Sequence, residues 1–157
     1  MNMKKNVIQT LISLTVIIGI CSCTTSPKKT TQKEEATGKW VKYENNPVLG
    51  GGDLGTVFDI CVLKDSDSYK MYSSWRPQKS IALSTSKDGK NWSAPQIVLP
   101  PVEGSSWEAD MNRPVVVYKD GLYHMWYTGQ NDGKSWIGYA ISKDGYNFCL
   151  LYTSDAA

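Results

Sequence analysis

The chain has 157 residues, of which 41% are hydrophobic, 11% aromatic and 20% charged, and this composition excludes a wholly disordered protein. A net charge of +2, without a stripe of basic residues, gives no reason to expect a nucleic-acid partner. Six Trp and nine Tyr stand against two Phe, and such amphipathic rings suit sugar-binding clefts, although most of them fill a β core.

The first predicted element is a lipoprotein signal peptide over residues 1–23. Two lysines precede an apolar run, residues 7–20, that is short for a membrane-spanning helix. Ser22 and Cys23 follow, and a small residue directly before a cysteine resembles the bacterial lipobox. We therefore expect lipid on Cys23 and a location on the bacterial cell envelope, held to the membrane by that lipid. Cys21 fits less well because an isoleucine precedes it, and an ordinary secretory signal is the alternative.

Residues 24–38 are predicted to be a flexible tether between the membrane and a folded domain. The segment is rich in Thr, Lys and Glu and has no apolar periodicity.

An internal repeat organises the next segment, residues 39–148. Residues 81–92 match residues 137–148 at an offset of 56, with a Ser-Lys-Asp-Gly turn in each copy. Upstream matches have offsets of 55 and 54, and this drift falls in turns, where insertions are tolerated. The strands predicted in the first copy are residues 56–63, 69–75, 80–86 and 96–99. Four short antiparallel strands per repeat are typical of a β-propeller blade, so an all-β fold with about two blades is predicted.

Two blades cannot close a ring, because propellers have about four to eight. We therefore expect an incomplete propeller. Residues 40–49 are predicted to be the outer strand of the last blade, the strand that would close the ring.

The end of the chain has an unusual sequence. Residues 149–157 resemble the translation of a sequencing adapter, so we interpret them as non-native and expect the native sequence to be interrupted near residue 148. Blade two would then lack its outer strand. Cys61 becomes the one unlipidated cysteine of the native domain, so no internal disulfide is expected.

Residues 40–148 contain several short motifs that together form a recognisable pattern. They are Asn46-Pro-Val-Leu49, Phe58-Asp59-Ile60, Tyr69-Lys-Met-Tyr72, the two Ser-Lys-Asp-Gly turns and Tyr123-His-Met-Trp-Tyr127. Together they resemble the five-bladed β-propeller glycoside hydrolases, with families 43 and 32 the nearest. The resemblance implies a glycoside hydrolase that acts on poly- or oligosaccharides, and no cofactor is expected.

The resemblance also implies which end of each blade carries the chemistry. In these families the innermost strand of each blade begins at the catalytic face, so the second strand ends there and the third begins there. The segments expected on that face are Asp59, Trp75-Arg76, Lys79, residues 108–113 and residues 130–136. The Ser-Lys-Asp-Gly turns fall at the opposite end, so Asp88 and Asp144 are expected to be structural turn residues.

Asp59 is the leading catalytic candidate. It interrupts an apolar strand, where an unpaired carboxylate is costly to bury. The resemblance implies that it acts as the general base, as in family 43, or as the nucleophile, as in family 32. The alternative is a strand-end Asp bonded to backbone amides.

A second carboxylate is needed, because glycoside hydrolysis uses two positioned carboxyl groups and often a third. Aligning the two copies places Pro114 opposite Asp59, so the carboxylate that family 43 carries after this proline would fall on Val115, and the sequence departs from the pattern. Asp110 is predicted to take its place, with Glu108 as the alternative.

The remaining predicted contacts are with sugar. They are Trp75, Arg76, Glu108, Arg113 and Trp136. Arg113 is expected either to bind a sugar hydroxyl or to hold a carboxylate. His124 has no second histidine near it, so it is expected to be structural, and no metal site is predicted.

Two other functions use the same scaffold. One is a noncatalytic glycan-binding lipoprotein, and the other is a propeller phosphorylase such as family 130, which needs a basic phosphate pocket. A glutamate at the inner end of a third or fourth blade would supply the general acid, so the chain on its own is expected to be inactive.

Overall fold

The structure of the protein is a computed structural model that describes residues 38 and 40–150. The predicted signal peptide with Cys23, nearly all of the tether and residues 151–157 lie outside this range. Within it, no helix has both the length and the apolar character needed to cross a membrane.

The first sheet, which we call blade one, is antiparallel, and its strands pair in chain order. Its strands are β1 (Val57–Asp65), β2 (Ser68–Trp75), β3 (Ser80–Ser86) and β4 (Gln96–Leu99). The four predicted strands of the first repeat are confirmed to within two residues at every boundary. A short 3-10 helix at Arg76–Gln78 joins β2 to β3, and another at Gly52–Leu54 precedes β1.

The second sheet, blade two, repeats the arrangement. Its strands are β5 (Asp110–Lys119), β6 (Leu122–Asn131), β7 (Lys134–Ser142) and β8 (Cys149–Leu150). The predicted all-β class with about two antiparallel blades is therefore confirmed.

One detail differs from the sequence-based expectations. Blade two has an outer strand, because Cys149 and Leu150 pair with Ile141 and Ala140 of β7, and both residues belong to the segment interpreted above as non-native. Residues 40–49 pair with no described strand, and their place in the last blade of a closed ring stays a prediction.

Two-residue turns join β5 to β6 and β6 to β7. Asp120 and Gly121 have φ values of 53° and 80°, and Asp132 and Gly133 have 47° and 71°. Both central φ angles are positive, as in the hairpin turns whose twist matches the strands, and Asp-Gly is a favoured sequence for them. The turns therefore fix which residues of neighbouring strands face each other.

The core lies between the two blades, where β5 packs against β1, β2 and β3. Its fully buried side chains include Tyr72, Ile81, Met111 and Met125. Polar bonds also cross the interface: the Tyr72 hydroxyl donates to the carbonyl oxygen of Gly145 at 2.9 Å. One face of each blade is thus covered by the other blade.

A buried lysine joins the blades at the end that carries the β1–β2 turn. The Lys70 ammonium lies 2.8 Å from Asp65 Oδ2 and 2.8 Å from Tyr123 Oη, and it donates to the Asp144 carbonyl at 3.0 Å. Burial works against the charge of Lys70, but the hydrogen bonds to Asp65 and Tyr123 outweigh it and raise the pKa of the ammonium. We call Asp65, Lys70 and Tyr123 the interblade triad.

Candidate functional site

The candidate site is built on two β-bulges, one near the start of the first strand of each blade. The bulge in β1 gives Asp59 a φ of 48°, and the bulge in β5 gives Arg113 a φ of 52°. Such left-handed backbone is uncommon for residues other than glycine. Bulges turn a side chain out of the regular alternation of a strand and are often found beside active sites.

The strand register corrects the alignment of the two repeats. Pairing is interrupted after Phe58 in blade one and after Asn112 in blade two, and Asp59 and Arg113 are the first residues in the two gaps. Arg113 is therefore the counterpart of Asp59, and the predicted alignment of Asp59 with Pro114 is wrong by one residue. The misalignment arose because the short sequence match of residues 62–65 with residues 117–120 has an offset of 55, whereas the registers of the two hairpins give 54.

Asp59 and Arg113 also contact each other. Arg113 Nε lies 3.6 Å from Asp59 Oδ2, and the two side chains are 56% and 36% exposed, respectively. An ion pair this exposed contributes about 0–1 kcal/mol, so it holds the two groups together only weakly. Both charges remain accessible to a ligand.

Blade one fixes the backbone of Arg113. The backbone N–H of Arg113 donates to the Ser74 hydroxyl at 2.8 Å, and the N–H of Met111 donates to the Lys79 carbonyl at 2.9 Å. The Asp59–Arg113 pair therefore lies across the contact between the two blades, where main-chain N–H groups of β5 donate hydrogen bonds to blade one.

Asp110 belongs to a separate polar network at the same end of blade two. The side-chain amide of Asn112 donates to Asp110 Oδ1 at 3.0 Å and to Gln130 Oε1 at 2.8 Å. Gln130 in turn donates to the Ser135 hydroxyl at 2.9 Å. Among the described residues, no hydrogen bond or ion pair links Asp110 to Asp59.

Glu108 is enclosed. Its side chain is 1% exposed, and the Tyr127 hydroxyl donates to Glu108 Oε1 at 2.7 Å. The Trp107 ring stacks on Tyr127 with 6.1 Å between the ring centres. The predicted sugar contact of Glu108 has no support in this arrangement, because Glu108 braces the loop before β5 and does not face solvent.

Trp75 and Arg76 lie at the end of β2, near Asp59 in the sheet. The Trp75 indole N–H donates to the Leu54 carbonyl at 2.8 Å and so ties down the loop before β1. The Arg76 guanidinium lies 4.7 Å from the centre of the Phe58 ring and is exposed. Trp75 thus has a structural partner, whereas Arg76 is open to a ligand.

Trp136 lies at the start of β7, is 40% exposed and lines a cleft of about 540 Å³. Asn112, Gln130 and Ser135 were expected on the catalytic face only as members of the ranges 108–113 and 130–136, and no role was predicted for them or for Trp107. A polar residue two positions from Asp110 in the same strand was a usable signal for Asn112, because alternate residues share a face.

His124 has a structural partner, since its Nδ1 lies 2.6 Å from the Tyr139 hydroxyl. Within the described part of the chain, no three His, Cys, Asp or Glu side chains gather as a metal site.

The Ser-Lys-Asp-Gly turns are structural, as predicted. Asp88 Oδ1 accepts the backbone N–H groups of Lys90 and Asn91 at 2.8 Å each, and Asp144 does the same for Tyr146 and Asn147. These donors, that of Asn91 first, hold the pKa of the Asp88 carboxyl well below its usual range.

Comparison with known proteins identifies the fold. No protein-family model and no curated protein matches the chain. Among solved structures it is similar to a GH43 endo-arabinanase from Bacillus licheniformis, with 22% identity, a TM-score of 0.51, and coverage of 64% of this chain and 38% of that chain. An α-L-arabinanase from Cellvibrio cellulosa gives 20% identity, a TM-score of 0.51 and coverage of 61% and 34%. A family 117 glycoside hydrolase from Zobellia galactanivorans is 14% identical, with a TM-score of 0.51 and coverage of 58% of this chain and 36% of that chain.

These likenesses concern the fold. The neighbours are five-bladed β-propeller glycoside hydrolases, so the two sheets have the fold of propeller blades, as predicted. The chain spans less than two fifths of the length of each of these structures.

Proposed function

We propose that the chain contributes two blades of a β-propeller glycoside hydrolase that cleaves poly- or oligosaccharides, with Asp59 as a catalytic carboxylate. The observation that carries the proposal is the position of Asp59. It lies on a bulge at the start of an innermost strand, with its carboxylate partly exposed beside a guanidinium. The fold shared with glycoside hydrolases adds support.

Asp59 would act on water as a general base, or on the anomeric carbon as a nucleophile. Either role needs an accessible carboxylate oxygen held in a fixed direction. The bulge fixes the backbone of Asp59, and Arg113 lies to one side of the carboxylate. A guanidinium has five N–H donors, and the Arg113 side chain is 56% exposed, so donors that do not face Asp59 can bind a sugar hydroxyl.

Asp110 is proposed as the second carboxylate of these two blades, oriented by the amide of Asn112. The group that protonates the leaving sugar is assigned to other blades of the propeller. Arabinose-containing polymers are the first substrates to test, because arabinanases are among the structural neighbours.

The test compares Asp59→Asn with Asp88→Asn in a protein that carries the remaining blades. Loss of a positioned base or nucleophile lowers kcat/KM by about a hundredfold to ten-thousandfold, whereas Asp88→Asn should lower the melting temperature and spare activity. Sugar release and a melting curve are measured for both variants. Near-normal sugar release by folded Asp59→Asn protein would remove Asp59 from the mechanism.

A phosphorylase is the second candidate, favoured by the guanidinium of Arg113 at the counterpart of the Asp59 position. It would transfer the glycosyl group to inorganic phosphate and release a sugar 1-phosphate. Dependence of sugar release on added phosphate separates this activity from hydrolysis. Glycan binding without release of any sugar would favour the noncatalytic alternative.

For location, we propose lipid attachment at Cys23 and retention on the cell envelope. The support is the sequence pattern, with Ser22 before the cysteine and an apolar run ahead of it. Cys23→Ala should release the protein from membranes and abolish acyl labelling, whereas Cys21→Ala should change neither. Unchanged membrane fractionation of Cys23→Ala would contradict the assignment.

A further inference from the structure

A second concave surface lies at the β6–β7 hairpin, at the same end of blade two as Asp110. It is the cleft of about 540 Å³ that contains Trp136. Its principal lining residues are Trp107, Asn131, Asp132, Lys134, Trp136 and Ile137. We call it the hairpin cleft.

One wall of the hairpin cleft is a rigid aromatic ring. Trp107 stacks on Tyr127 with an angle of 12° between the rings. Behind it lies Gly129, where an added Cβ would stand 2.7 Å from the Trp107 ring, so the ring fills the space that a side chain would occupy. Because this ring is already ordered, a ligand that packs on it loses little additional conformational entropy on binding.

The second aromatic wall is Trp136, which pairs with Gly129 across the sheet. It is 40% exposed and is followed by Ile137, which is 73% exposed. An indole offers an apolar face together with an N–H donor, the combination that suits the C–H face and hydroxyls of a sugar ring. The cleft therefore combines one fixed ring with one accessible ring.

The rim of the hairpin cleft is polar and balanced in charge. The amide nitrogen of Asn131 donates to the Ser105 carbonyl at 3.1 Å, which fixes this side chain at the rim. Asp132 and Lys134 bring one negative and one positive charge on either side of Gly133. A ligand with no net charge fits this rim better than an anionic one.

We infer that the hairpin cleft binds one ring of a neutral glycan, as a subsite separate from the Asp59–Arg113 pair. The inference deepens the proposed function, because the same glycan chain would reach both places. Apolar walls with a small number of fixed polar groups are typical of small-molecule sites.

The test is affinity electrophoresis of the full chain in gels that contain linear arabinan, a neutral glycan, or polygalacturonate, an anionic one. The unmodified protein should be retarded by arabinan, and Trp136→Ala should bind about tenfold more weakly, as expected for loss of an aromatic anchor. The matched control is Trp126→Ala: Trp126 is 43% exposed, but it lies beside His124 and Tyr139, outside the cleft. It should bind as the unmodified protein does.

Equal retardation of Trp136→Ala and the unmodified protein would overturn the inference, as would retardation by polygalacturonate alone or by neither glycan. Circular dichroism checks the fold of each variant. If Trp136→Ala does not fold, Asn131→Ala and Trp136→Phe replace it, the first expected to weaken binding and the second to preserve most of it.

Binding and hydrolysis fail separately in this design. Trp136-dependent retardation without sugar release from the completed propeller supports the subsite and counts against the hydrolase. Sugar release with no effect of Trp136→Ala on retardation supports the hydrolase and counts against the subsite.

Discussion

Asp59 and Arg113 carry opposite charges at equivalent β-bulges in the two copies of the repeat. The backbone of Asp59 and that of Arg113 share a bulge and a left-handed φ, yet one side chain is an acid and the other a base. The repeated element is therefore the bulge, and each blade places a different chemical group on it. A second carboxylate cannot come from this position in blade two, which is why Asp110 becomes the candidate.

The two turn aspartates couple stability to pH. Backbone and side-chain N–H groups, those of Asn91 for Asp88 and of Asn147 for Asp144, hold the pKa of each carboxyl well below its usual range. A carboxyl whose pKa is lowered by folding contributes stability above the unfolded pKa, and this contribution is lost as pH falls toward the folded pKa.

We therefore expect the urea midpoint to fall as the pH is lowered below about 4, the ordinary pKa of Asp. The double variant Asp88→Asn/Asp144→Asn should be less stable at pH 7 and should lose less stability between pH 7 and strongly acidic pH. Asp53→Asn, in an exposed 3-10 turn, is the control and should keep the pH dependence of the parent. If the urea midpoint of the double variant changes with pH as steeply as that of the parent, this account is wrong.

One group of the hydrogen bonds that join the blades connects β1 and β2 with β6. The interblade triad links Lys70 of β2 to Tyr123 of β6, and the Tyr123 hydroxyl donates to Asp65 at 3.0 Å. Lys70 is 6% exposed, so loss of one partner leaves its charge poorly solvated.

Tyr123→Phe should therefore lower the free energy of unfolding by about 1–3 kcal/mol, since it removes a hydroxyl bonded to two charged groups. Tyr118→Phe is the matched control, because Tyr118 packs on Tyr123 but is 58% exposed. Urea titration at neutral pH measures both. Equal effects of the two substitutions would show that the triad contributes nothing specific.

The contact between β6 and β7 depends on the absence of a side chain at Gly138. An added Cβ there falls on the ring of Tyr127, the residue that holds Glu108. Gly138→Ala should destabilise the protein by about 1–3 kcal/mol through overpacking. In the Tyr127→Leu background the same substitution should cost less, because the ring is gone. Thermal melts of the four proteins measure the coupling, and additive effects would contradict direct contact.

The strands were predictable because alternation and turn residues are local signals. The β3 and β4 boundaries agree with the sequence pattern, and in blade two the Asp-Gly turns fix the pairing of β5, β6 and β7. The bulges were not predictable in register, since a bulge changes pairing without changing composition. The burial of Glu108 was hidden for a similar reason: it depends on Tyr127, 19 residues away, and no local pattern reports that contact.

Within residues 40–150, each blade covers one face of the other, and no described residue covers the second face of blade two. On blade two the open face carries Val115, Val117 and Trp126, which are 56%, 45% and 43% exposed. Contiguous apolar surface of this kind favours association. The sequence repeat predicted two blades, and neighbouring blades of a propeller pack face to face.

We expect the 157-residue chain to self-associate as its concentration is raised. Val117→Thr/Trp126→Ser should shift the equilibrium toward monomer in sedimentation velocity experiments, because it makes this face more polar. Val41→Ser is the control, since Val41 is exposed but lies before the first strand. A monomeric parent chain across the concentration range would refute the expectation.

The pairing of β1 to β4 in chain order has a consequence for the order of folding. Every ladder bond of blade one lies within residues 57–99, so this sheet can assemble before β5 joins it. Until then, the face that will meet blade two is in water. Lys70, Tyr72 and Ser74 lie on that face with polar groups that water can satisfy. The polar groups that later bond to blade two therefore stay hydrated until blade two packs against this sheet.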